Sequence, residues 1–288
     1  MRARDLSVVV AARDVPPKVT RACLRALFAQ TQPGDVMLVT TDRHDWAREF
    51  PDLHVIDAGR DALTPALWQI GIDAAHGEIV ALTIAGCTPP SDWLHNIRSL
   101  FAQSTHDGIG GALDAPVRGS AVDWAVYFAR YSAYLPPIEP RMVDDVAGDN
   151  AAYRRAALDA VRDTWRAGFW EIDVHRALRA RGQTLALVPD MTTRFTGGVS
   201  LRAMARQRWR HGRQYGATRR GSRVFRIMTS PAIPLVLALR IIRRVRTKRP
   251  DWMPQVWRSL PALLVLIGAW SAGEIVGLCT GRSHARFA

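Results

Sequence analysis

The chain has 288 residues, 48% of them hydrophobic, enough for one large domain with its own core plus an appendage. Of its 39 Lys and Arg residues, 15 fall between Arg202 and Arg249, where there is no Asp or Glu; the net charge of +13 is therefore local, and the remainder, 24 basic against 26 acidic residues, is near neutral. Cys23, Cys87 and Cys279 form no CxxC pair, which argues against a disulfide framework or a zinc site and fits a reducing compartment.

Residues 6–11, Leu-Ser-Val-Val-Val-Ala, predict a buried strand rich in β-branched side chains. Arg2 and Arg4 precede it, but the apolar run is too short for a signal-peptide core, so no export signal is expected. Val19, Cys23, Leu24, Leu27 and Phe28 predict a helix over 17–29, with Pro16 and Pro17 at its start, where proline is tolerated. After the turn Gln32-Pro-Gly-Asp35 come a strand over 36–40, another over 53–56 and a helix over 63–75. Gly77 opens a fourth strand over 78–83, and Ser91 is placed to cap a helix carrying Trp93, Leu94 and Ile97. This β-α-β-α order predicts an α/β fold, a mostly parallel sheet flanked by helices. Ligands of such sheets bind beyond the strands' carboxyl ends, which points to Ala12 and Arg13, Thr41 and Asp42, and Ala85 and Gly86.

The second half is less regular. Helical patterns cover 122–134, 151–161 and 171–181, the last stopped by Gly182. A strand over 184–188 follows, then Gly197-Gly198 and a basic helix from Ser200. Residues 227–242 are apolar but broken by Pro231, Pro234 and Arg240, and read as an interfacial or re-entrant segment. Arg243, Arg244, Arg246, Lys248 and Arg249 then cluster. Residues 260–281 carry one charge, Glu274, over 22 residues and are long enough to cross a bilayer. A pair of buried helices in a soluble protein is the alternative. The adjacent arginines favour the membrane, because they bind anionic lipid and mark the cytoplasmic side. The expected division is therefore a catalytic-type domain over 1–225 and a membrane-associated segment over 226–288.

Signatures of simple catalytic folds are absent: there is no GxSxG, HExxH or GxxxxGK[ST], and Gly108-Ile-Gly110-Gly111 lacks GxGxxG spacing. One set of segments is informative. Gly77-Glu-Ile-Val-Ala-Leu82 leads into Cys87-Thr-Pro-Pro-Ser-Asp-Trp-Leu94. Gly148-Asp-Asn-Ala-Ala-Tyr-Arg-Arg155, Gly168-Phe-Trp-Glu171 and Arg208-Trp-Arg-His-Gly-Arg213 follow in order, then Trp270-Ser-Ala-Gly-Glu-Ile-Val-Gly277. Together they resemble family 2 glycosyltransferases of the GT-A fold, in particular bacterial membrane-associated members. The resemblance covers most of the chain. It implies a nucleotide-diphospho-sugar transferase fold with C-terminal apolar membrane helices.

Three departures stand out. The family's metal-binding DxD falls on Ile84-Ala85-Gly86, which has no carboxylate. The acidic residues that usually end the second strand fall on Thr40 and Thr41, and the usual Arg-Asn falls on Trp68-Gln69, ahead of Gly71. Mg²⁺ or Mn²⁺ needs hard oxygen ligands to neutralise a diphosphate leaving group, so either ion would require ligands other than a DxD, such as Asp42 or Asp45. Arginine can clamp phosphate instead: Arg206, Arg210 and Arg213 share a face at i, i+4, i+7, with His211 beside them, although such a charge run also suits a solvated or lipid-facing helix.

By the same resemblance Glu171 holds the position of the catalytic base of inverting transfer, and a helix N-terminus also favours a carboxylate there. Asp149 and Asn150 are candidates for sugar or acceptor hydroxyls, or caps for the helix expected from Ala151. The implied activity is transfer of a sugar from a nucleotide-sugar donor to a lipid-linked or polysaccharide acceptor at the cytoplasmic (inner) membrane, with membrane lipids as partners. The competing reading is a degenerate relative that binds without turnover. Nucleic acid is not expected as a partner, because the basic block with Trp209 and Tyr215 abuts membrane-like segments.

Overall fold

A computed structural model describes residues 5–30, 35–218 and 232–281. The chain forms two compact units, one of Met1–Asp114 with Pro136–Thr196 and one of Ala115–Leu135 with Gly197–Ala288.

The first, a sheet unit, begins β1 (Leu6–Ala12), α1 (Pro17–Phe28), β2 (Asp35–Thr40), α2 (Trp46–Glu49), β3 (His54–Asp57), α3 (Thr64–Ala74) and β4 (Ile79–Ile84). It continues with β5 (Cys87–Thr88), α4 (Trp93–Gln103), β6 (Gly108–Gly110) and β7 (Leu113–Asp114). After an excursion through α5 (Ala121–Tyr131), which belongs to the other unit, come β8 (Arg141–Val143), β9 (Asn150–Arg154), α6 (Arg155–Ala160) and α7 (Arg162–Trp165). Then follow α8 (Glu171–Ala180), β10 (Leu185–Leu187) and β11 (Thr193–Phe195).

Eight strands order as β3-β2-β1-β4-β9-β6-β10-β8, and β5-β11-β7 form a small second sheet. All seven residues of β1 are buried, as expected of a strand with parallel neighbours and both faces covered. On one face Val8, Val10 and Leu38 join a core with Leu24 and Leu27 of α1 and Trp93 and Ile97 of α4. On the other, α3 lies so close that a Cβ on Gly71 would overlap Val9.

The large sheet is mostly parallel, as expected: β3, β2, β1, β4, β6 and β10 run one way, while β9 runs antiparallel to β4 and β6, and β8 antiparallel to β10. The structure corrects other expectations. Residues 150–154 are a central strand where a helix was expected, and the helix is confined to Arg155–Ala160. The N-cap of α4 is Asp92 rather than Ser91, without a side-chain cap bond. Where β9 ends, two arginines close two helices. Arg154 donates to the carbonyls of Phe101, Ser104 and His106 in and after the last turn of α4, and Arg155 to those of Ile72, Ala75 and Gly77 in and after the last turn of α3. Both satisfy carbonyls that a helix C-terminus leaves open.

The second, helical unit contains α5, α9 (Leu201–Thr218), α10 (Ile233–Lys248) and α11 (Met253–Thr280). A capping box starts α5: Ser120 Oγ accepts from Asp123 N–H, while Asp123 accepts from Ser120 N–H and also from the N–H groups of Gly198 and Val199. α9 and α11 run parallel with their backbones touching. A Cβ on Gly212 would overlap the Trp270 carbonyl, one on Gly216 that of Glu274, one on Gly273 that of Trp209, and one on Gly277 that of Arg213. Each helix thus contributes a Gly-x-x-x-Gly pair, the spacing that lets two helices approach this closely. The first apolar segment, expected over 227–242, forms a helix over Ile233–Lys248, its first residues lying outside the described ones. The second is longer than expected, running from Met253 to Thr280. Among the described residues one helix is long and apolar enough to cross a membrane, over Pro250–Thr280, with mean hydropathy 1.9.

Candidate functional site

Beyond the carboxyl ends of β1, β2 and β4 lies the region where the sequence places a donor. Thr41 N–H donates to the Ala12 carbonyl and Ala85 N–H to that of Ala11, so these turns are tied to one another. Arg13 is buried; it donates to the Ala62 carbonyl and pairs with Asp14 at 3.3 Å. Asp14 has φ +53°, a left-handed conformation that Asp adopts more readily than most non-glycine residues. Asp42 accepts from His44 N–H at 3.0 Å and from the Trp46 indole at 3.1 Å, while Asp45 caps α2 through Arg48 N–H. Both carboxylates therefore shape the turn after β2.

Ile84 ends β4 and Ala85 and Gly86 follow it; none has a side-chain oxygen, so they do not fit a divalent ion. Among the described residues no group of three or more His, Cys, Asp or Glu side chains is placed to hold one. Gly86 has room for a Cβ, whose nearest neighbours would be Ile84 at 3.5 Å and Phe195 at 3.8 Å. The constraint on Gly71 is helix–sheet packing against Val9 and Val39.

Glu171 is the first residue of α8, half-buried, and its Oε1 accepts a hydrogen bond from Gly148 N–H. A Cβ built on Gly148 would lie 2.6 Å from that oxygen and 3.0 Å from the Trp68 ring, so glycine is what lets the three residues meet. The buried Trp68 donates its indole N–H to the Thr83 carbonyl at 3.4 Å and sets its ring edge-on to Phe169, centroids 6.2 Å apart. Thr83 in turn donates its hydroxyl to the Asp149 carbonyl at 3.0 Å. The structure thus brings Glu171, Gly148, Asp149, Thr83 and Trp68 to the end of β4. Sequence reasoning had named Glu171 and Asp149. Trp68 it had marked only as a departure, and nothing in the local pattern signals where the indole goes.

Asn150 has a different place. It is fully buried; its Oδ1 accepts from the Trp93 indole at 3.0 Å, and its amide donates to the carbonyls of Ala112 and Met191. That side chain ties β9 to α4 and to the small sheet. Its committed oxygen and amide argue against the expected role in binding sugar hydroxyls, and the strand it begins rules out the alternative role as a helix cap.

The loop over 144–149 is fastened to α8 along its length. Besides the Gly148–Glu171 bond, Arg179 donates to Asp144 at 3.0 Å, and the buried His175 lies 3.2 Å from Asp145 and 2.8 Å from the Tyr153 hydroxyl. The hydrogen bond to His175 is the main reason that the Asp145 carboxyl is held below the ordinary carboxylate range; desolvation opposes it, and His175, Arg179 and Arg176 add favourable charge.

Arg206, Arg210, His211 and Arg213 lie on α9 and belong to the helical unit. Arg206 is exposed and the other three are half-buried, with the Arg213 guanidinium 5.6 Å from the Trp209 ring centroid. A separate cavity of about 550 Å³ in the sheet unit is lined by residues including Thr88, Asp92, Asn96, Asp190 and Arg194, and by none of the sequence-predicted site residues.

No protein-family model and no curated protein sequence matches the chain. Solved structures do resemble it. One is residues 1–349 of S. aureus TarS in complex with UDP, at 13% identity and a TM-score of 0.51, covering 93% of this chain and 90% of that one. Another is GalNAc-T7 with UDP, GalNAc and Mn²⁺, at 14% identity and a TM-score of 0.51, covering 72% of this chain and 48% of that one. The likeness establishes a mixed α/β fold of the kind these structures have.

Proposed function

We propose that the chain is an inverting glycosyltransferase that moves a sugar from a nucleotide-sugar donor to a lipid-linked or membrane-near acceptor, with Glu171 as general base. The observation that carries this reading is the convergence of Glu171, Gly148 and Trp68 at the end of β4, in a fold like that of structures holding UDP. In this scheme the Glu171 carboxylate takes the acceptor hydroxyl's proton as that oxygen attacks the anomeric carbon. The bond from that carbon to the diphosphate oxygen breaks, and the nucleoside diphosphate leaves. The turns at Ala12–Arg13, Thr41–Asp42 and Ala85–Gly86 cradle the donor, with the Asp149 loop beside it. We assign transfer to residues 1–225 and attachment to the cytoplasmic face of the inner membrane to residues 226–288.

One observation favours a second reading, a module that binds without turnover. The buried Trp68 ring occupies the place beside Gly148 and Glu171, where the resemblance leads one to expect an Arg-Asn pair. A binding screen of UDP-, GDP- and dTDP-sugars with and without Mn²⁺ comes first, and binding is expected to depend little on the metal. Given a donor and an acceptor, Glu171→Gln then separates the two readings. Transfer should fall by ~10²–10⁴-fold with donor affinity nearly unchanged. Wild-type transfer in the variant removes Glu171 as the base.

A further inference from the structure

The last two helices expose apolar side chains that a water-facing protein would cover. On α10 Leu235, Val236 and Leu239 are 63, 49 and 57% exposed; on α11 Trp257, Leu264 and Val265 are 56, 44 and 48% exposed. Within each helix their spacing places them on one side: i, i+1, i+4 on the first and i, i+7, i+8 on the second. The opposite side of α10, with Ala238, Ile241 and Val245, is buried in the unit. Basic residues border the apolar stripes: Arg240, Arg243, Arg246 and Lys248 are exposed along the second half of α10, and Arg258 follows Trp257 on α11. The one acidic residue between the two helices, Asp251, is paired with Arg249 at 2.8 Å.

The same unit argues against α11 crossing a bilayer. Of its most apolar window, 44% is already buried within the protein. Near the start of α11, Trp252 packs edge-on against Trp124 and Tyr127 of α5. Its last turns, from Trp270 to Leu278, lie backbone to backbone against the part of α9 that carries Trp209, Gly212, Arg213 and Gly216. Sinking those turns into hydrocarbon would drag Arg206, Arg210, His211 and Arg213 with them, together with Glu274, which is 3% exposed. Charges at that depth are costly, and they have a cheaper place at the headgroups.

We infer that the helical unit docks in the plane of one membrane leaflet, with the exposed stripes of α10 and α11 sunk among the acyl chains and the bordering basic residues on anionic headgroups. The inference rests on the membrane-near reading above but not on its chemistry. Apolar insertion and headgroup attraction add in such a surface, and Trp and Arg suit the boundary between them. α11 then needs lipid contact along one stripe only, which is what the structure leaves open.

The test uses the full chain. Flotation with sealed vesicles of phosphatidylcholine, alone or with phosphatidylglycerol, should show binding that is at least about tenfold weaker without the anionic lipid, and similarly weaker after Arg243→Glu with Arg246→Glu. Leu239→Asp and Val265→Asp alter exposed positions that the fold tolerates, and each should lower partitioning about tenfold or more. In inside-out membrane vesicles from expressing cells, the exposed Cys279 should react fully with a membrane-impermeant maleimide without detergent, Cys23 and Cys87 being buried. Labelling of Cys279 only after detergent would show that α11 crosses the membrane and overturn the inference. So would equal binding to neutral vesicles, or wild-type binding by both aspartate variants. Flotation as expected without any nucleotide-sugar binding leaves this inference standing and removes the proposed transfer.

Discussion

The two units bring elements together by opposite means. In the sheet unit, polar side chains that are buried or half-buried reach across to backbone and to other side chains: Asn150 holds α4 and the small sheet, Arg154 and Arg155 close the ends of α4 and α3, and His175 fastens the loop at Asp145. In the helical unit, four glycines remove side chains altogether so that two backbones meet. The first device ties α3 and α4 down near the start of β4 and holds the loop over 144–149 near its end, beside Glu171. The second leaves no space between α9 and α11 and turns side-chain chemistry outward, as a docking surface requires. Polar ties hold geometry through direction, and glycine contacts hold it through distance, so the two should fail differently under mutation.

The largest effect is expected where distance is violated. Gly212→Leu or Gly277→Leu places a side chain inside the facing helix backbone, which neither helix can avoid without separating. Stability should fall by about 3 kcal/mol or more, seen as early thermal unfolding and as protease cleavage in α9 or α11. Gly268→Ala is the matched control. It has no neighbour within 4 Å of its Cβ position and should gain up to about 1 kcal/mol from helix propensity. Equal behaviour of Gly212→Leu and Gly268→Ala would end the claim that the helices touch.

A somewhat smaller loss is expected where direction is removed. Asn150→Ala leaves the Trp93 indole and the carbonyls of Ala112 and Met191 without their partner in a site sealed from water. The loss should be on the order of 2–4 kcal/mol in urea unfolding. Asn150→Asp should be no better, because a carboxylate cannot donate to either carbonyl. A loss below about 1 kcal/mol would mean that water replaces the amide and that the polar tie is dispensable.

The same contrast explains what could be read from the amino-acid order. The β1–β4 half was legible because the Val-Val-Val run and helical periodicity are local signals, and the boundaries of the expected elements fell within one or two residues; the single turn α2 was not expected. The β9–β6–β10–β8 half was not. Ala151-Ala152-Tyr153-Arg154-Arg155-Ala156-Ala157 favours a helix by intrinsic propensity, and only pairing on both sides, to β4 and β6, makes its first part a strand. Gly108-Ile-Gly110 carries little strand signal, yet glycine is required because a Cβ at Gly108 would come within 2.8 Å of Tyr153 and one at Gly110 within 2.6 Å of Val146. At the candidate site, Glu171 was singled out by the family resemblance, and the structure places it at the start of α8 against Gly148. Asn150 was legible as a notable residue but not in its role, since its partners lie 57, 38 and 41 residues away. The paired glycines of α9 and α11 are visible in the sequence, but their mutual contact depends on bringing two distant helices alongside.

The smallest expected effect tests whether the loop over 144–149 is held by charge as well as by direction. The Asp145 carboxyl is held below its ordinary range chiefly by the hydrogen bond to His175. A carboxyl lowered on folding stabilises the folded form above its unfolded value, near pH 4, and that contribution is lost as pH falls through the lower folded value. Acid should therefore loosen the tie below about pH 4. The gain at neutral pH is bounded at about 1 kcal/mol, because the Asp145 side chain is 44% exposed and solvent screens the pair. Asp145→Asn keeps an oxygen for His175 but removes the charge, so it should flatten the pH dependence of hydrogen exchange at 144–149 while costing little at pH 3. Exchange at Gly148 is the informative amide, because its N–H donates to Glu171 and reports whether the loop still rests on α8. If Asp145→Asn and wild type show the same acid profile there, the loop is held by its hydrogen bonds alone, and the His175–Asp145 pair adds no charge term to the platform beneath Glu171.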